Sequence, residues 1–162
     1  MLDDALLADH MRELLDQEAA LLARLETLLA EETDALRGDD FAQLERVGAE
    51  RHGCVGSLMS IDSERRSACR LLGLGEDGPQ FEVLLDRCDR SGTLKQRWRT
   101  GLQVAARCKD RNERNGAVVA AKLRRVEALL LTVRGGQDRV APVYGAGGLR
   151  PVGARGFELG CA

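Results

Sequence analysis

"ALRGDDFAQLE", residues 35–45, decides how the chain folds. Upstream of it, from about Leu2 to Arg37, there is no Pro or Gly, and apolar residues recur at Leu7, Met11, Leu14, Leu21, Leu25 and Leu28. That spacing is the signature of one long amphipathic helix. Gly38 then supplies a stop, and Asp39 or Asp40 an N-cap for a new helix, so the stretch reads as a tight helical hairpin. The second helix is expected from about Phe41 to Leu72, burying Leu44, Val47, Val55, Leu58, Ile61 and Leu71. Gly48, Gly53 and Gly56 weaken its middle by about 1 kcal/mol each against Ala, which marks a bend or a close helix contact there.

Back on the first helix, Leu15, Leu22, Leu29 and Leu36 repeat every seven residues and widen its apolar face. Such a series serves either a bundle core or a self-associating zipper. Beyond the hairpin, "GLGEDGP", residues 73–79, is a loop by its glycines and proline. It lacks the Lys-Ser/Thr and the preceding strand of a phosphate-binding loop. Pro79 to about Arg90 makes a short helix, Ser91-Gly92 a break, and Thr93 a cap for a long run from Leu94 to about Arg134. The expected fold class is all-α: an elongated antiparallel helical bundle or coiled coil of three main helices plus a short one. Residues 1–134 form the expected helical domain. From Gly135 the composition turns Gly-rich, so 135–162 is expected to be a mobile tail, with Val140, Val143, Tyr144, Leu149, Phe157 and Leu159 as isolated apolar anchors.

Composition excludes several function classes. The 24 basic and 26 acidic side chains leave a formal net charge of −2, so no global field steers the chain to nucleic acid or an anionic membrane. The basic series Arg107, Lys109, Arg111, Arg114, Lys122, Arg124 and Arg125 is interrupted by Asp110 and Glu113 and carries no aromatic platform, which favours a solvated charged face over RNA contact. The N-terminus is acidic rather than basic-then-apolar, and no apolar run approaches the ~20 residues of a membrane span. Five cysteines at irregular spacing, with only His10 and His52 beside them, suggest reduced thiols in the cytoplasm and no metal site. No nucleophile and base, paired carboxylates or ligand cluster points to catalysis or to a cofactor.

Two features of the long final helix carry the functional reading. Val119, Leu123, Val126, Leu130 and Val133 follow steps of four, three, four and three, giving an apolar stripe. Where the first helix ends before covering it, that stripe can take an amphipathic helix from another chain. Just before it, "RNERNG", residues 111–116, places Asn112, Asn115 and Gly116 inside an amphipathic helix. Glu18 is a matching oddity, because it occupies the apolar stripe between Leu14 and Leu21. If the first and last helices run parallel with their starts level, Glu18 accepts hydrogen bonds from Asn112 or Asn115 in one register-fixing polar layer, and Gly116 allows close helix approach. The alternative is that both asparagines face water.

"LLDQE" at 14–18, "GDDFAQLE" at 38–45, "NERNG" at 112–116 and "VYGAGG" at 143–148, in that order, resemble the flagellar export chaperone family FlgN. The resemblance implies a cytosolic, non-enzymatic chaperone that binds the helical C-terminal segments of the hook-filament junction proteins FlgK and FlgL and delivers them to the export gate component FlhA. It places Asn112, Asn115 and Gly116 on the family's polar motif and Tyr144 on the tail tyrosine presented to the gate. A client-bound monomer is the expected state. The alternative function is a structural coiled-coil protein that self-associates and has no client.

Overall fold

Asp39 and Asp40 divide the work of the first turn. Asp39 adopts φ +52°, the left-handed conformation that ends a helix, and the Asp40 N–H reaches back to Ala35 O at 3.0 Å. Asp40 then caps the next helix, its Oδ1 accepting from Gln43 N at 3.0 Å. Gly38 is the last residue of the first helix rather than its left-handed stop. In the computed structural model, which describes residues 4–137 and the side chains of residues 5–135, this turn joins α1 (Asp4–Gly38) to α2 (Phe41–Leu71).

The second connection uses a true glycine signal. Gly73 at φ +68° lets Leu74 N–H bond Cys69 O at 2.9 Å, which closes α2. Asp77 accepts from Gln80 N at 2.9 Å, and Pro79 stands in the first turn of α3 (Gly78–Cys88). The break before α4 (Thr93–Gln137) is organised by Asp89. Its carboxylate accepts from Ser91 N–H and hydroxyl and from Leu94 N–H. Those bonds pull its pKa from 3.8 to about 2. All described elements are helical.

The chain divides into two compact units, residues 1–124 and a second beginning at Arg125, of which 125–137 are described. In the first unit α1 packs against both α2 and α4. Toward α2, Arg46 bridges Glu31 at 2.9 Å and Glu50 at 2.6 Å, Arg24 pairs with Glu50, and the Cys54 thiol donates to Leu21 O at 3.2 Å. Residue numbers rise on one helix as they fall on the other, so α1 and α2 are antiparallel. Toward α4, Asp16 pairs with Arg97, Glu26 with Arg107 and Asp39 with Lys122, so α1 and α4 run parallel. Exposed ion pairs of this kind add about 0–1 kcal/mol each; their offsets of 81, 81 and 83 residues mark helix register more than stability.

Burial follows heptads. Leu15, Leu22, Leu29 and Leu36 are all buried within the chain, so the series expected to serve either a core or a zipper is occupied internally. On α2 the buried set is Val47, Cys54, Ile61 and Ala68, seven residues apart, together with Arg65 and Cys69. Val55 and Leu71, expected inside, are exposed; the inward stripe runs through Cys54, Ile61 and Ala68 instead. Gly48, Gly53 and Gly56 face open space in a continuous helix and mark no close contact.

At one end of the unit α3 buries Phe81, Leu84 and Leu85 against Met11, Leu14, Leu15, Ile61, Leu94 and Trp98. Phe81 meets Trp98 edge to face at 5.0 Å, and the Arg65 guanidinium lies 5.3 Å from both ring centres. Arg65 is buried yet satisfied: it pairs with Asp62 and donates to Glu76 O at 3.4 Å.

Candidate functional site

The two asparagines of RNERNG have different surroundings. Asn115 is buried, 3 % exposed, and its Nδ2 donates to Leu29 O at 3.0 Å and to Glu32 Oε2 at 2.8 Å. Thr33 Oγ1 lies 2.8 Å from both Asn115 Oδ1 and Leu29 O, so its one proton is shared between two acceptors. Asn112 is exposed and accepts from Arg51 Nη1 at 2.9 Å, while Arg51 Nη2 stands 3.5 Å from Glu32 Oε1. The result is a polar cluster that links α1, α2 and α4.

Glu18 is not part of those bonds, which corrects the expected pairing. Arg97, in the second turn of α4, meets Asp16, in the fourth turn of α1. The helix starts are therefore not level, and Glu18 falls beside Gly101, where a Cβ would stand 3.7 Å from its Oε2. Burial pushes the Glu18 carboxyl above its usual 4.5, with Arg65 pulling down and Asp62 adding to the rise. Gly116 is corrected as well. It is exposed, and a Cβ there would meet nothing within 4 Å, so it permits no close approach; the buried glycine of α4 is Gly101.

The apolar stripe divides between the two units. In the first, Val119 and Leu123 are exposed; in the second, Val126, Leu130 and Val133 are, and the five range from 42 to 61 %. Val118, Leu129 and Leu131 are exposed as well. Tyr144 and the tail anchors lie outside the described residues.

A second apolar feature was not read from the sequence. Between α2 and α4, over α1, runs a groove of about 560 Å³. Leu22, Leu25 and Leu29 of α1 form its floor, with Val55 and Leu58 on one wall and Ala105 and Cys108 on the other. Glu18 stands at one end; Arg51, Lys109 and Asn112 stand at the other. No single residue signals it, because it arises where neighbouring helices present short side chains at one level.

No group of three or more His, Cys, Asp or Glu is placed to hold a metal ion among the described residues. His10 and His52 are exposed, and burial raises the thiol pKa of Cys54, Cys69 and Cys108, which makes them poor nucleophiles. No described helix is long and apolar enough to cross a membrane.

No curated protein and no solved structure matches the chain. The FlgN protein family matches it over residues 1–151, a span that takes in the hairpin, the four helices and the asparagine motif. With nearly its whole length matched, the chain belongs to the FlgN family of flagellar export chaperones.

Proposed function

We propose that the chain binds the C-terminal helical segments of the hook-filament junction proteins FlgK and FlgL and hands them to the export gate component FlhA. The client helix lies along α4 on Val119, Leu123, Val126, Leu130 and Val133, and Tyr144 docks at the gate. One observation carries this reading: a FlgN-family helix leaves those five apolar side chains exposed at the spacing an amphipathic helix would cover. Burying them removes from water the client surface that would otherwise aggregate. Asn112 and Asn115 serve the bundle rather than the client in this scheme.

The test mixes the purified chain with a FlgK C-terminal peptide. A 1:1 complex at micromolar concentration is expected, weakened about tenfold or more by the double substitution Leu123→Glu, Leu130→Glu; one well-placed apolar anchor is worth about 1.4 kcal/mol or more. No complex at that concentration would overturn the reading. Tyr144→Ala is expected to leave client binding intact and to weaken capture by FlhA.

A further inference from the structure

The groove between α2 and α4 repeats, one heptad on, a slot that the chain fills itself. Where α3 sits, the surrounding residues are Met11 of α1, Arg65 of α2 and Trp98 of α4, all in contact with or clustered around Phe81. Seven residues along each helix the same positions are Glu18, Leu58 and Ala105, and these line the groove. Two walls have lost their bulk: Leu58 replaces a stacked guanidinium and Ala105 an indole. The open volume of about 560 Å³ follows from those two exchanges and lies in the range of sites that take large apolar side chains.

The occupied slot also shows what fits. α3 inserts Phe81, Leu84 and Leu85, an i, i+3, i+4 set, and turns an acidic edge to α4. Asp86 pairs with Lys95 at 2.7 Å, and Glu82 with Arg99 at 2.8 Å. One heptad spacing links Lys95 to Leu102, which is exposed, and the next links Leu102 to Lys109 on the groove's margin. Lys109 makes no ion pair among the described residues, whereas Arg51 donates to Asn112 Oδ1 and stands 3.5 Å from Glu32 Oε1. The margin thus carries one cation, Lys109, without an ion pair, where the cations facing α3 are paired.

We propose that this groove is a docking site for an amphipathic helix of a partner protein that carries a large apolar i, i+3, i+4 set and acidic residues along one edge. The helix completes a four-helix core over Leu22, Leu25 and Leu58 as α3 does over Met11 and Leu15, and a carboxylate on its edge meets Lys109. The site shares no residue with the α4 stripe and does not depend on what binds there.

The test uses the full chain and two synthetic helical peptides with the same Phe/Leu/Leu face, one with a Glu edge and one with a Lys edge. The Glu-edged peptide is expected to bind at least tenfold more tightly. Lys109→Glu should reverse that preference, and Ala105→Trp, which fills the groove as Trp98 fills the slot, should weaken binding tenfold or more. Circular dichroism identifies a variant that has merely unfolded, and Leu58→Glu replaces Ala105→Trp in that event. Equal binding of both peptides overturns the proposal, as does binding that survives the groove variants and is lost in Leu123→Glu, Leu130→Glu. The FlgK peptide, run against the same variants, reports on the stripe separately.

Discussion

Asn115 is a polar residue that the bundle cannot easily replace. Its amide is matched on both sides, donating to Leu29 O and Glu32 and accepting from Thr33. Asn115→Leu is expected to cost about 1–3 kcal/mol in chemical denaturation, because it leaves Glu32 without a buried donor and adds volume beside a packed helix. Gly116, one residue on, is expected to behave in the opposite way. Gly116→Ala should stabilise the chain by about 0.5–1 kcal/mol, since the site is open and helical and alanine loses less backbone freedom on folding. A loss of stability in the same denaturation experiment would show that the glycine answers a contact. The sequence marked both residues as unusual, but their partners depended on register. Counting from assumed level helix starts put Glu18 beside Asn112, whereas the α1–α4 ion pairs put it beside Gly101.

At the scale of elements, caps and loops were the most legible features. Proline and glycine placed α3, and Asp40 and the 73–79 loop fell where local backbone chemistry required them. The start of α4 was less transparent. Thr93 was the expected cap, yet Asp89, four residues earlier, takes the Leu94 N–H. An aspartate reaching over a turn has no short sequence signature. Its depressed pKa makes a test. A carboxylate held below its ordinary value stabilises the fold above pH 4, and that contribution disappears as pH falls from 3.8 through about 2. Asp89→Ala should therefore melt at a lower temperature than the native chain at pH 7, with the gap closing by pH 2. The groove was illegible for a different reason: it consists of what three helices omit at one level. Once register is known, the exchange of Trp98 for Ala105 and of Arg65 for Leu58 along their heptads exposes it.

For the molecule as a whole, the α1–α2 hairpin is local in sequence, whereas α1 and α4 meet across 81 residues or more. Local contacts form with less loop entropy, so the hairpin is the natural first structure, and docking of α4 completes the first unit. The conflict built into that unit is Glu18. Its pKa is raised by burial, so the neutral form is favoured on folding and its contribution is fully present below pH 4.5 and lost as pH rises through the folded value. Glu18→Gln is accordingly expected to raise the melting temperature at pH 7 and to change it little at pH 4. Trp98 gives the unit a built-in reporter. It is the sole tryptophan of the chain, wedged between Phe81 of α3 and the Arg65 cation. Its emission wavelength and quenching therefore follow the seating of one short helix, while ellipticity is dominated by the three long ones. Departure of α3 ahead of the rest would separate two optical transitions that coincide if the unit opens in one step.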